Sequence, residues 1–157
     1  MKKNPLVQAN LISRVLLGFL FIYHGLVPKI LWLSPAEIHL VDISGIGISA
    51  AYISPLAGIL EIILGCAVIF LPKLDIVIYA AAGALLGLLA YVAVMSPSYL
   101  VDAFNPVTTN ILGIGLCYLI LLTQKHEDVW SITINSDIDI DIDCDIDRHV
   151  ALGRLSF

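Results

Sequence analysis

The chain has 157 residues, of which 59 % are hydrophobic and 13 % are charged, and its formal net charge at pH 7 is −5. Soluble domains contain roughly 45–50 % apolar and 25 % charged residues, so this composition excludes an ordinary soluble domain and favours an integral membrane protein. Six of the thirteen acidic residues lie between Asp137 and Asp147. The rest of the chain is close to neutral, which excludes an extended basic surface for nucleic acid.

The first predicted element is a polar lead over residues 1–8, followed by a membrane span over residues 9–33. The span is long enough to cross the hydrocarbon core of a bilayer. Lys2 and Lys3 resemble the start of a signal peptide. The apolar run after them is too long and has no small-residue cleavage site, so we interpret it as a retained span. Pro28 is expected to kink or end the helix.

A short interfacial helix is predicted in the more polar segment that follows the first span. Ser34 is suited to the N-cap, Pro35 to the first helical position and Glu37 to the third. We expect Glu37 to stabilise the N-terminus of this helix, because a carboxylate is favourable there.

Three further apolar runs predict three more membrane spans. The turn Pro72–Asp75 separates the second span from the third, and Ser96 opens a longer loop before the fourth. The predicted bounds are 52–71, 76–95 and 107–123. The predicted fold is therefore an all-α, integral membrane four-helix bundle, with one membrane domain over residues 9–125.

Small residues mark two helix faces for close packing. Gly58 and Gly65 share a face with Glu61 on the second span. A second stripe, on the third span, consists of Ala80, Gly83, Gly87 and Ala90. Small residues let helix backbones approach closely in lipid. We expect both faces to pack within the bundle, with a homo-oligomer contact as the alternative.

Residues 126–157 form a low-complexity tail in which Asp alternates with Ile from Asp137 to Asp147. The alternation has the period of a strand, yet one face would carry every carboxylate. A calcium loop of the EF-hand type would need a central glycine and a distal glutamate, which this segment lacks. The tail is predicted to be disordered or weakly β and dispensable for insertion.

The lysines predict the orientation of the bundle. Lys2, Lys3, Lys73 and Lys125 mark the two chain ends and the second loop, whereas the first and third loops are acidic. Positive residues favour the cytoplasmic side, so both termini are expected in the cytoplasm, in a bacterial inner (plasma) membrane.

Ionisable side chains within apolar runs are the candidate functional residues, because they are costly at membrane depth. Arg14, His24 and Glu61 lie at estimated depths of roughly 7, 22 and 15 Å from the cytoplasmic end of their spans. Arg14 is expected either to reach the inner headgroups or to form an ion pair with Glu61, and a double-mutant cycle should then show coupling. Glu61 is alternatively a neutral buried acid, a proton-handling group or a ligand contact.

Three more polar residues complete the candidates. His24 is expected to be a satisfied histidine of the bundle or a contact to a ligand such as a quinone. Lys29 is expected to anchor the first span at the outer interface, and Asn110 to hydrogen-bond between helices. Cys66, Cys117 and the tail cysteine form no paired motif, so neither a dithiol site nor a metal site is predicted.

Three stretches of the chain resemble the DoxX-like membrane proteins. They are Tyr23-His-Gly-Leu-Val-Pro-Lys-Ile30, followed by the acid Glu37; Gly58-Ile-Leu-Glu-Ile-Ile-Leu-Gly65; and Asn105-Pro-Val-Thr-Thr-Asn110. The resemblance covers roughly residues 9–124 and implies a four-helix membrane bundle. Some relatives are small subunits of thiosulfate:quinone oxidoreductases, and others accompany membrane redox complexes or NAD(P)-binding proteins.

The resemblance and the polar residues lead to three hypotheses for the function. The first is a non-catalytic membrane subunit or scaffold of a quinone-linked redox complex, with quinone near His24 and Glu61. The second is a small transporter or channel-like bundle with Glu61 as its protonatable site. The third is a structural or assembly factor without a ligand. No catalytic residue or resident cofactor is predicted, which favours a protein that is not an enzyme on its own.

Overall fold

A computed structural model describes residues 5–103 and 105–125, and these residues include four helices long and apolar enough to cross a membrane. The helices are α1 (Pro5–Leu26, continued by a π-helical turn at Val27–Leu31), α2 (Pro35–Ile43), α3 (Ala50–Phe70), α4 (Asp75–Met95) and α5 (Pro106–Lys125). A 3₁₀ turn (Pro97–Leu100) follows α4. The predicted four-helix membrane bundle and its short helix after the first span are confirmed. The predictions for the tail lie outside the described residues.

The end of the first span and the start of α2 follow from local backbone chemistry. Pro28 has no N–H, and the helix passes here into a π-helical turn in which Trp32 N donates to the Val27 carbonyl at 2.9 Å. Ser34 caps α2 as predicted, because its hydroxyl accepts from the backbone N–H of Glu37 at 3.2 Å.

Helices α1 and α3 cross with their backbones in contact at two pairs of glycines. Gly18 faces Gly65, and a Cβ atom on Gly65 would lie 2.7 Å from the Gly18 carbonyl oxygen. Gly25 faces Gly58, and a Cβ on either residue would overlap the carbonyl oxygen of the other. The glycines are therefore required by the close approach of the two helices, as the stripe on the second span predicts.

The small-residue stripe of the third span lies on the opposite side of its helix from the core. Gly83 and Gly87 are exposed, and a Cβ on either would meet no atom of the described residues within 4 Å. The core face of α4 instead carries Ile78, Ala81 and Leu85, which recur at helical spacing. The prediction that this stripe packs within the bundle is therefore wrong.

Arg14 binds the end of α3 and not Glu61. Its guanidinium donates to the carbonyl oxygens of Val68 and Pro72, both at 2.8 Å, and to Asn10 Oδ1 at 3.0 Å. The residue is only 2 % exposed, so it does not reach outward to headgroups either. Both sequence interpretations of Arg14 are therefore wrong. The carbonyl oxygens at the C-terminal end of a helix lack partners within the helix and carry a partial negative charge, so they bind the guanidinium instead.

The same end of the bundle carries further hydrogen bonds between helices. Asn10 donates to the Ile120 carbonyl at 3.1 Å and to the Thr123 hydroxyl at 2.7 Å on α5. Gln124 donates to the Pro72 carbonyl at 2.7 Å. These residues and Arg14 form a polar layer that joins α1, α5 and the turn between α3 and α4; we call this the turn end of the bundle.

We expect Arg14→Leu to lower the free energy of unfolding by about 3 kcal/mol. The change removes every donor that the guanidinium supplies to the two carbonyls, and a hydrogen bond from a charged donor contributes about 1.5–3 kcal/mol. The measurement is reversible unfolding of the purified chain in mixed micelles. A loss below about 0.5 kcal/mol, the usual range for surface positions, would contradict the role given to the polar layer.

Candidate functional site

Three charged side chains meet at the end of the bundle opposite the turn end, which we call the loop end. Lys29 donates to Glu61 Oε1, and its ammonium lies 3.8 Å from Glu37 Oε1. The three residues come from the π-helical turn, α3 and α2. They form a cluster, the Lys29–Glu37–Glu61 cluster, that joins three separate segments.

The cluster is buried enough for its pairing to matter. Lys29 is only 7 % exposed. Glu37 Oε2 accepts a hydrogen bond from the Ser54 hydroxyl at 2.9 Å, so Glu37 is held from α3 as well. Glu61 Oε2 is buried and has no hydrogen-bond partner among the described residues. Burying a carboxylate oxygen without a hydrogen-bond donor costs free energy. The hydrogen bonding of the cluster is therefore incomplete at this atom.

The geometry of the cluster follows from the crossing of α1 and α3. Ser54, Gly58, Glu61 and Gly65 recur at helical spacing on one face of α3, and this face packs on α1. Lys29 lies four residues after Gly25 on the packing face of α1, and its Cβ would lie 3.0 Å from a Cβ on Gly58. Small residues on both helices therefore leave room for the two long side chains to meet.

A cavity of about 660 Å³ lies at the loop end between α1, α4 and α5. Its apolar wall includes Leu20, Leu40, Leu88 and Val92. Its polar and aromatic lining includes Tyr23, His24, Tyr99, Asp102, Thr109 and Asn110. Ligand pockets in proteins span about 300–1,000 Å³ and combine an apolar wall with a few polar groups, as this cavity does.

Helix α2 and the segment after α4 cover the cavity. Ala36 and Leu40 line it from α2, and the Tyr91 hydroxyl on α4 donates to the Leu40 carbonyl at 2.6 Å. The rings of His39 and Tyr99 pack edge to face with centroids 5.9 Å apart, which joins α2 to the 3₁₀ turn. These two contacts hold the cover in addition to those that Glu37 makes with Ser54 and Lys29.

His24 lies next to the packing face of α1 and its ring lines the cavity. Around the axis of α1, His24 lies about 80° away from the face of Gly25 that packs on α3. This rotation lets one turn of α1 present Gly25 to α3 and His24 to the cavity.

The structure places five of the six predicted site residues at the loop end and separates Arg14 from them. Lys29, Glu37 and Glu61 form the charged cluster there, and His24 and Asn110 line the cavity, whereas Arg14 lies at the turn end. The prediction that Lys29 anchors the first span at the outer interface is wrong, because its ammonium is buried between two carboxylates. Glu37 binds Lys29 and Ser54 through its side chain, in addition to its place in the first turn of α2.

Asn110 lines the cavity and is 4 % exposed. Its side chain makes no hydrogen bond to another of the described residues, so the predicted bond between helices is not found in this part of the chain. Sequence reasoning missed Ser54, which continues the Gly58–Glu61–Gly65 face by one more turn. It also missed Tyr99, since no pattern in the sequence indicated that the loop covers a cavity.

Comparison with known proteins agrees with this fold. The model of the DoxX-like family matches residues 18–118, which include α2, α3, α4, the C-terminal part of α1 and most of α5. The matched range contains His24, Lys29, Glu37 and Glu61. Searches of curated proteins and of solved structures gave no match. With the family model covering well over half of its length, this multi-pass membrane chain belongs to the DoxX-like family.

Proposed function

We propose that the protein is a non-catalytic membrane subunit of a quinone-linked redox complex, and that it binds a quinone-type ligand in the cavity at the loop end. The observation that carries this proposal is the cavity itself, with its apolar wall and its polar groups from His24, Asn110 and Tyr99. A quinone has an apolar ring and tail with two carbonyl acceptors, which matches that lining.

The redox part of the proposal assigns electron transfer to a partner protein. The described residues hold no group of three or more metal-binding side chains, and their two cysteines, Cys66 and Cys117, are both free thiols. Binding and positioning of the ligand are then the contribution of this chain. Family relatives that serve as subunits of quinone-reducing enzymes support the same division of roles.

A cavity-filling variant tests ligand binding. We expect Ala36→Trp to weaken binding of a short-chain 1,4-naphthoquinone at least tenfold, because the indole would occupy the cavity that Ala36 lines. The measurement is calorimetric titration of the full chain in lipid nanodiscs. Ala51→Trp, at an exposed position on α3 outside the cavity, is the matched control and should bind as the unchanged protein does. Equal affinity in both variants, or no binding by the unchanged chain, would refute the proposal.

A proton-coupled transporter is the second candidate function. The buried Glu61 Oε2, which has no hydrogen-bond partner among the described residues, favours it, because such an atom is a place for a proton. The ion pair of Lys29 with the other oxygen of Glu61 weighs against it, since that contact already holds the carboxylate in a fixed place. Proton-coupled flux in liposomes that is lost in Glu61→Gln would support this function over the first.

Two further assignments belong to the same proposal. The exposed small residues of α4, including Gly83 and Gly87, offer a smooth face to a helix of the redox partner or of a second copy. The lysine distribution supports cytoplasmic termini, with the turn end on the cytoplasmic side of a bacterial inner membrane and the loop end on the other side. A purely structural or assembly role is the outcome that we expect if neither a ligand nor a partner binds.

A further inference from the structure

Asn110 is the buried polar residue of the cavity lining. Of the described residues that line the cavity, only Asn110 and Val92 are buried, with 4 % and 3 % of their surface exposed. These two residues therefore mark the inner end of the cavity. His24 and Asp102, in contrast, line the cavity as exposed residues, so water reaches them.

The side-chain amide of Asn110 has no hydrogen-bond partner among the described residues. The fully enclosed polar side-chain atoms without a partner in this part of the chain are Glu61 Oε2 and Gln124 Oε1, so the amide of Asn110 is not fully enclosed. Because the rest of the residue is buried, the open space that the amide faces is the cavity. It offers two N–H donors and one carbonyl acceptor to that space.

A second asparagine of the lining uses both ends of its amide. Asn105 Nδ2 donates to the Asp102 carbonyl at 3.0 Å, and Asn105 Oδ1 accepts from the backbone N–H of Thr108 at 3.1 Å, at the start of α5. Asn110 lies beyond the first turn of that helix, so capping does not account for its amide. A buried amide without partners costs free energy, and a ligand that supplies a partner recovers this cost.

We propose that Asn110 anchors one ring oxygen of the quinone-type ligand, and that it does so in both redox states of the ligand. A quinone oxygen is a carbonyl, which accepts a hydrogen bond from Asn110 Nδ2. The same oxygen in the quinol is a hydroxyl, which donates to Asn110 Oδ1. A half-turn of the amide about its last side-chain bond exchanges Nδ2 and Oδ1, so one residue serves both states in one place. The inference rests on the proposed function for the class of the ligand.

The surroundings of the amide make this hydrogen bond selective. Leu20, Leu88 and Val92 supply apolar wall to the same cavity. A hydrogen bond made where water is excluded is stronger than one made in water. A ligand with the same ring and tail but without oxygen would fill the same apolar space and leave the amide unpaired. We therefore expect the ring oxygen to raise the affinity about tenfold.

The first test compares three probes in the unchanged full chain and in Asn110→Leu. The probes are a short-chain 2-alkyl-1,4-naphthoquinone, its quinol kept reduced under argon, and the 2-alkylnaphthalene that lacks both oxygens. In calorimetric titrations in lipid nanodiscs, Asn110→Leu should bind the quinone and the quinol each about tenfold more weakly. It should bind the 2-alkylnaphthalene as the unchanged chain does, because leucine is close to asparagine in shape and this probe makes no hydrogen bond.

Asn10→Leu is the matched control, since it makes the same change at an amide outside the cavity lining. It should bind all three probes as the unchanged protein does. In Asn110→Leu, an equal loss for the 2-alkylnaphthalene would show that the residue shapes the cavity without binding an oxygen, and would overturn the inference. Unchanged quinone binding, or a loss for one redox state alone, would overturn it while leaving the proposed function intact. If the unchanged chain binds neither quinone nor quinol, both fall together.

The second test needs no ligand. Asn110→Leu removes a buried amide that has no partner, so the midpoint temperature of unfolding in mixed micelles should stay the same or rise. Asn10→Leu should lower this temperature, because it removes the hydrogen bonds of Asn10 with Arg14, Ile120 and Thr123. A fall in Asn110→Leu as large as that in Asn10→Leu would show that the amide already has a partner in the folded chain, and would overturn the inference.

Discussion

Gly25→Ala should be among the most destabilising single-methyl changes in this protein. The added Cβ would overlap the Gly58 carbonyl oxygen, and backbone atoms on the facing helix are unable to turn aside as a side chain does. Separating α1 from α3 at this point also strains the second contact, between Gly18 and Gly65. Overpacking in a well-packed core costs about 1–3 kcal/mol and occasionally more, and we expect the upper end of that range.

Gly87→Ala is the matched control for this effect. The position is also a glycine within a membrane-spanning helix, yet a Cβ there would meet nothing among the described residues within 4 Å. Replacing glycine by alanine in a helix contributes roughly 0.5–1 kcal/mol of stability when the backbone conformation suits both. Unfolding in mixed micelles should therefore move in opposite directions for the two variants. A loss in Gly87→Ala that equals that in Gly25→Ala would contradict the described packing.

Lys29→Met should lower the free energy of unfolding by about 3 kcal/mol, because it leaves the partly buried Glu61 carboxylate without its partner. Glu61→Leu should cost a similar amount by leaving Lys29 with only the more distant Glu37. The double variant should recover much of the loss, since removing both members of a buried pair can be nearly neutral. Reversible unfolding of the four proteins gives the coupling energy.

A double-mutant cycle between Arg14→Leu and Glu61→Leu is the control for the cycle between Lys29 and Glu61. The two residues lie about 12 Å apart along the helix axis and bind separate partners, so their effects should add to within about 0.5 kcal/mol. Coupling between Arg14 and Glu61, or additivity between Lys29 and Glu61, would show that the ion pairs are assigned wrongly.

The helices were predictable from the sequence because the patterns that indicate them involve residues close together in the chain. A long apolar run indicates a membrane span, and the Ser34 cap indicates the start of a helix. The shared face of Arg14, Gly18, Phe21 and Gly25 was also predictable, since it needs only the helical period. All four are buried in α1.

The partner of Glu61 was not predictable from depth alone. With Gly18 facing Gly65 and Gly25 facing Gly58, Arg14 and Lys29 lie on either side of Glu61 at similar axial distances, about 12 and 10 Å. The direction of the Cα–Cβ bonds decides between them, because side chains lean toward the N-terminus of their own helix. In an antiparallel pair, Lys29 and Glu61 lean toward each other, while Arg14 leans away.

The cavity depends on tertiary arrangement and left no signal in the sequence. Its lining comes from α1, α2, α4, α5 and the segment after α4. No single period places Tyr99 and Leu88, or Asn110 and His24, on the lining of one cavity. The small residues of α4 led to a wrong prediction of packing within the bundle. Gly83 and Gly87 are exposed, so a helix face of small residues need not face the interior.

The polar layer at the turn end makes the bundle asymmetric in the routes that it offers to a small molecule. Arg14, Asn10 and Gln124 join α1, α5 and the α3–α4 turn by direct hydrogen bonds at one end, whereas the cavity lies at the other end, where Tyr91 and the His39–Tyr99 ring pair join its lining segments. A molecule that crossed the whole bundle would have to break several charge-assisted hydrogen bonds. A molecule that entered and left by the loop end would break none of them. We therefore expect a ligand of the kind proposed above to enter and leave the cavity through the loop end, without passing the polar layer.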